Sequence, residues 1–167
     1  DMALLEMLTG PQYLRFVGRM YGMHEDEIAK RQVELFEKLD LAPGPKTLIA
    51  DYSFGMKKKI SLIAALIHGP RVVFLDEPFE GIDPVTSRTI KEILLSLQKK
   101  GTTLVLTSHI LEVVERLCPL IAILDGGKLL AHGTLAELHG AAGAGRSLEA
   151  LFFVMVGAGS TGDLSWL

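Results

Sequence analysis

The chain has 167 residues, 49% of them hydrophobic and 22% charged, enough to bury a core without disulfides or metal. Its single cysteine, Cys118, excludes an internal disulfide framework and fits a reducing compartment. Lys+Arg 17 against Asp+Glu 20 gives a net charge of −3, which argues against a strongly basic nucleic-acid surface. No apolar run approaches the ~20 residues that span a bilayer, and the first residues lack the basic start and cleavage site of a signal peptide.

The first third reads helical. Pro11–Met20 mixes Tyr13, Leu14, Phe16 and Val17 with Arg15 and Arg19, and Gly22 and His24 break it. Glu25–Leu39 sets Ile28, Leu35, Phe36 and Leu39 near one face, with acids in the first turn to suit the helix dipole. Ala42-Pro43-Gly44-Pro45 is a loop. A further helix starts near Ser53, carries the apolar body Ile60–Ile67 and stops at His68-Gly69-Pro70.

The pattern then changes. Val72–Leu75, Thr102–Thr107 and Leu120–Leu124 are short apolar runs separated by helical stretches at Thr86–Lys100 and Leu111–Leu117. Strand, helix, strand, helix, strand predicts a parallel sheet with crossovers, buried on both faces. Asp125-Gly126-Gly127-Lys128 predicts a tight hairpin turn into an edge strand at Leu129–Ala131. Gly140–Gly145 reads as a flexible linker, Leu148–Val156 as a short apolar helix, and Gly157–Gly162 as loose chain before the one tryptophan, Trp166.

Four strings carry chemistry. In Val72–Pro78 (VVFLDEP) a buried strand ends in two adjacent carboxylates. Ligands of open α/β sheets sit outside the carboxyl ends of the strands. There Asp76 can hold Mg²⁺, directly or through water, and Glu77 can polarise an attacking water. Thr102–Thr107 is followed by Ser108-His109, and a parallel layout puts His109 on the same edge, where it can donate to a phosphate or to the attacking water. In Tyr52–Lys59 (YSFGMKKK), Ser53 can cap a helix, Gly55 lets backbone N–H groups approach a ligand, and the helix start with three lysines favours an anion. In Gly81-Ile82-Asp83-Pro84, Asp83 is an N-cap with Pro84 at the first helical position. Each string also has a purely structural reading: an acidic loop, a strand-end cap, a solvated basic turn, a capped helix.

In this order, YSFGM, VVFLDEP, EGIDP and TSH resemble the ATP-binding subunit of ABC transporters, over about residues 1–155, with an exporter-type (ABC-2) character. LTGPQYLRFVGRMYGM looks like the start of that family's helical subdomain, and ILDGGKLLAHGTLAEL like its hairpin and helix after the switch histidine. The resemblance implies a fold of class α/β, a partial P-loop NTPase-like parallel sheet with crossover helices preceded by an α-helical subdomain. It implies a helical signature subdomain over 1–67, a catalytic half over 68–139, and a linker with a C-terminal helix over 140–167. It further implies Asp76 in the Mg²⁺ shell, Glu77 as the base that activates water, and His109 on the γ-phosphate. Ser53, Gly55 and Met56 would contact ATP bound to a second subunit, and Asp83 would couple the two sites. The usual signature is Leu-Ser-Gly-Gly-Gln; here Tyr52, Phe54 and Met56 replace three of its five residues.

The phosphate-cradling Gly-x-x-x-x-Gly-Lys-Ser/Thr loop does not occur in the 167 residues. Lys46-Thr47 is the one Lys followed by Ser or Thr, and it has Asp40 and Pro45 where the glycines belong. The expectation is therefore a chain that starts part-way through its domain, hydrolyses little ATP alone, and self-associates through apolar edges. The implied cofactors are ATP and Mg²⁺. The implied partners are a transmembrane permease and a second ATP-binding subunit, with no nucleic acid, at the cytoplasmic face of the membrane. Two alternatives are a module that only donates a signature to another subunit, and an ATPase of DNA repair. The second would call for a coiled coil or a basic face, and neither stands out.

Overall fold

A computed structural model of the chain describes residues 4–142 and 147–156. It divides into two compact units, Asp1–Thr107 and Ser108–Leu167, each with its own core.

The first unit opens with three helices: α1 (Gly10–Met20), α2 (Glu25–Lys38) and α3 (Phe54–Leu66). Thr9 and Gln12 form a reciprocal capping box at the start of α1, with Pro11 in its first turn. Glu25, Asp26 and Glu27 occupy the first turn of α2, where the helix dipole favours acids. The faces expected from helical periodicity meet: Leu14, Ile28, Ile60 and Ile63 are at most 2% exposed. Helices α1 and α2 approach closely at Gly18, where a Cβ would lie 2.6 Å from Ile28 Cδ1.

Where α1 and α3 end, the Tyr21 and His68 rings stack with centroids 3.7 Å apart and planes 6° from parallel. From α2, Arg31 Nη1 donates to the Ile67 carbonyl at 2.6 Å. Burial pushes the His68 pKa below the usual 6.5, and the Arg31 charge adds to the shift. The folded unit thus favours neutral His68. The stability this contributes is present above the unfolded pKa of 6.5 and is lost as pH falls through the lower, folded value. An NMR titration of His68 is expected to give a midpoint below 6.5 that moves back toward 6.5 in Tyr21→Ala; an unshifted midpoint in the parent protein would contradict this.

After α3 come strand β1 (Val72–Asp76), helix α4 (Pro84–Lys99) and strand β2 (Thr103–Thr107). The two strands pair in parallel, Val72 opposite Thr103 through Asp76 opposite Thr107, with α4 as the crossover. The sheet is covered on one face only. Val73 is 4% exposed, whereas Phe74 on the other face is 77% exposed, with Val72 and Val105 beside it also exposed. The alternation departs from the burial on both faces that the apolar runs suggest. One crossover helix covers one face of a sheet, and among the described residues of this unit no second helix lies over the other.

The second unit holds α5 (Leu111–Leu117), β3 (Ile121–Asp125), β4 (Lys128–Gly133), α6 (Leu135–Ala142) and α7 (Leu148–Val156). Strand β3 pairs antiparallel with β4 in a sheet of its own, rather than extending the parallel pair as the strand–helix alternation suggested. The cause is local. Gly126 and Gly127 both take positive φ, 51° and 75°, the conformation of a two-residue hairpin turn whose twist matches the strands it joins. Helix α6 has its own capping box, Thr134 N donating to Glu137 Oε2 at 2.7 Å and Glu137 N to Thr134 Oγ1 at 3.3 Å. It takes in Gly140, Ala141 and Ala142, the start of the expected linker, because alanine extends a helix at little cost. The rest of that linker and the tail with Gly157–Gly162 and Trp166 lie outside the described residues. Helix α7 packs back: Leu148 and Leu151 join Ile121, Ile123 and Leu138 in the second core.

Candidate active site

The C-terminal ends of β1 and β2 lie side by side, which places Asp76 opposite Thr107. Thr107 braces both acids. Its hydroxyl donates to Asp76 Oδ1 and accepts from the Glu77 backbone N–H at 3.2 Å. Glu77 itself departs from the strand with φ 44°, a left-handed conformation rare for a residue with a side chain. Its carbonyl accepts from Glu80 N–H at 3.2 Å, closing a turn, and from Lys58 Nζ at 3.0 Å. Thr107 does not stand out in the sequence as a site residue, and Lys58 does so only as one of three lysines expected to favour an anion. Thr107 is found only by aligning the two strands in register; the bond from Lys58 to Glu77 is found only from the fold, nineteen positions away.

The signature string builds the start of α3 as expected. Ser53 is the N-cap, its Oγ accepting from Met56 N–H at 3.3 Å. A Cβ at Gly55 would meet nothing within 4 Å, so this turn faces open space. The three lysines do not form one anion-binding face. Successive helical positions point about 100° apart, and each lysine finds an acceptor within the chain. Lys57 pairs with Glu6 at 2.6 Å, Lys58 takes the Glu77 carbonyl, and Lys59 takes the Asp40 carbonyl at 3.3 Å.

Phe54, at a position where the signature usually has glycine, lies against Gly81: a Cβ at 81 would sit 2.5 Å from its Cε1. Gly81 has φ 66°, so the position excludes a side chain on both backbone and steric grounds. Lys58 Nζ sits 5.6 Å from the centroid of the Phe54 ring. Two residues on, Asp83 caps α4, Oδ1 accepting from Thr86 N–H at 2.9 Å with Pro84 in the first turn. Hydrogen bonds from Thr86 hold the Asp83 carboxyl below the usual carboxylate range. Within the first unit, Thr107 joins Asp76 to Glu77, and Lys58 and Phe54 tie the helix that follows Ser53 to the loop between Glu77 and Asp83. Ser53, Gly55 and Met56 lie at the start of that helix. His109 is exposed and belongs to the second unit, two residues beyond the end of β2, next to Ser108, whose Oγ accepts from Ile110 N–H at 3.1 Å.

Among the described residues no cluster of three or more His, Cys, Asp or Glu could hold a metal ion. The donors at the strand ends fit Mg²⁺ nonetheless, because this ion is usually bound by one or two carboxylates with phosphate and water completing its shell. Asp76 is an exposed carboxylate with a hydroxyl beside it.

A two-stranded parallel pair with paired acids at its rim, beside a capped glycine-containing helix start, places the first unit in the α/β class. A family model described as "AAA domain, putative AbiEii toxin, Type IV TA system" matches residues 22–115. The linearmycin resistance ATP-binding protein LnrL of Bacillus subtilis is 41% identical over 138 residues, covering 83% of this chain and 44% of that protein. The daunorubicin resistance ATP-binding protein DrrA3 of Streptomyces coeruleorubidus is 38% identical over 144 residues, covering 86% of this chain and 46% of that protein. A solved structure of an ATP-binding subunit of an ABC transporter superposes with a TM-score of 0.87 at 32% identity, covering 92% of this chain and 64% of that one. The chain belongs to the ATP-binding proteins of ABC transporters, which have the P-loop NTPase fold. It spans rather less than half the length of the two resistance proteins.

Proposed function

We infer that the chain is the signature- and carboxylate-bearing part of an ATP-hydrolysing subunit that powers movement of a substrate through a membrane transporter. The observation that carries this reading is the rim of the parallel pair, where Thr107 braces Asp76 and Glu77 at adjacent strand ends. In this reading Asp76 holds the Mg²⁺ shell and Glu77 takes the proton of the attacking water. Bound Mg²⁺ would neutralise charge on the phosphates. His109 contacts the γ-phosphate. Ser53, Gly55 and Met56 face a nucleotide held by a second ATP-binding subunit, and Asp83 couples the two sites. The open space at Gly55 and the capped start of α3 support the trans contact. Residues 1–67 act as the helical subdomain that docks on a permease, 68–139 as the catalytic half, and 140–167 as an appendage. No helix among the described residues is long and apolar enough to cross a membrane, and a permease would supply that function from the membrane while this chain stays on its cytoplasmic face. The names of the drug-resistance relatives support an exporter.

The 167 residues alone contain no P-loop, so on their own they are expected to bind ATP weakly and to turn it over at background rate. The protein made from the complete reading frame, co-expressed with its membrane partner, is expected to co-purify with it and to hydrolyse Mg²⁺-ATP. Absence of both ATP turnover and membrane association in that preparation would overturn the reading. Turnover that appears only when a second, P-loop-bearing subunit is added would favour the signature-donating alternative.

A further inference from the structure

Glu77 is the one residue of the rim whose backbone is held in a conformation that L-residues rarely adopt, φ 44°. The direction of its carboxylate depends on that backbone being held, and three donors and acceptors surround the peptide. Thr107 Oγ1 receives the Glu77 N–H, Glu80 N–H closes the turn onto the Glu77 carbonyl, and Lys58 Nζ donates to the same carbonyl at 3.0 Å. Two of these contacts are local to the strand ends. The third crosses from α3, and it carries a full charge, which makes it the stronger kind of hydrogen bond.

Lys58 is itself held. Its ammonium lies 5.6 Å from the centroid of the Phe54 ring, and that ring lies against Gly81, four residues beyond Glu77. Phe54, Lys58, Glu77 and Gly81 thus form a closed clasp. It joins the first turn of α3 to the loop between β1 and α4. The neighbouring lysines, paired with Glu6 and with the Asp40 carbonyl, cannot take this role.

We propose that Lys58 is a positioning residue for Glu77: its hydrogen bond to the Glu77 carbonyl, steadied by the Phe54 ring, fixes the left-handed turn that aims the carboxylate. This rests on the reading of Glu77 as the base that activates water. Lys58 touches no reacting atom; it acts through the Glu77 peptide. A shift of about 1 Å in a reacting group can lower a rate about a hundredfold, so loosening the turn acts on the chemical step and leaves nucleotide affinity in place.

The test uses the protein from the complete reading frame with its membrane partner, with ATP hydrolysis, melting and nucleotide binding measured on Lys58→Met, Lys58→Arg and Glu77→Gln. For Lys58→Met, kcat is expected to fall between about tenfold and a hundredfold, with KM for ATP within about twofold and a cooperative melting transition retained. Lys58→Arg, whose guanidinium still donates to the carbonyl and stacks on an aromatic ring, is expected to recover most of the rate. Parent-like kcat in Lys58→Met, a KM that rises in step with the fall in kcat, loss of the melting transition, or no recovery in Lys58→Arg each overturns the proposal. Full activity in Glu77→Gln overturns the underlying assignment of the base instead, whatever the lysine variants do.

Discussion

Glu77→Gln is expected to lower ATP hydrolysis by the complete protein by at least about a hundredfold, the range spanned by removal of a positioned general base, while ATP binding persists. The glutamine is nearly isosteric and keeps the turn, because the contacts that hold residue 77 run to its backbone: the N–H to Thr107 and the carbonyl to Lys58 and Glu80. What it removes is the ability to accept a proton from water. Single-turnover assays with radiolabelled ATP, alongside equilibrium binding, separate the two steps. Equal losses of binding and hydrolysis would mean that residue 77 serves the nucleotide rather than the water. Asp76 sits one residue earlier, still within the strand and bonded to Thr107, so its replacement by Asn tests the metal shell and not the base.

Leu14→Ala is expected to cost about 2–5 kcal/mol of stability, the range for a fully buried leucine. Leu14 is 0% exposed on α1, in a core shared with Ile28 of α2 and with Ile60 and Ile63 of α3. Space there is tight, since not even a methyl group fits between α1 and α2 at Gly18 without displacing Ile28. A cavity at this place has little freedom to collapse. Single domains hold only about 5–15 kcal/mol in total, so the first unit should lose a large part of its stability. Calorimetry on the parent and the variant measures the loss. A change below about 1 kcal/mol would mean that the helices close over the cavity.

Much of the fold is legible in the chain because its causes are local. Pro11, Ser53, and Asp83 with Pro84 stand at the starts of α1, α3 and α4 as the sequence leads one to expect, since a helix start needs only residues within one turn. The hairpin at Gly126-Gly127 follows from two adjacent residues able to take positive φ. The paired acids at the end of VVFLD stand at a strand end for the same reason: five apolar-rich residues fix the strand, and the next acid leaves it.

Other features depend on contacts between distant segments, which spacing along the chain does not encode. Four apolar residues in a row, Val72–Leu75, do not tell how many faces of a sheet will be covered, and Phe74 proves exposed. Lysines 57, 58 and 59 read as one basic turn, yet helical geometry sends them to three separate acceptors. The residue types in sequence order were sufficient to establish the family and to nominate the acids, because those motifs are contiguous. Only the tertiary structure could decide that Thr107 ties the two acids together and that Lys58 reaches the Glu77 carbonyl. Hydrogen bonds between strands, and between a helix and a loop, exist only once folding has brought those segments within about 3 Å of one another.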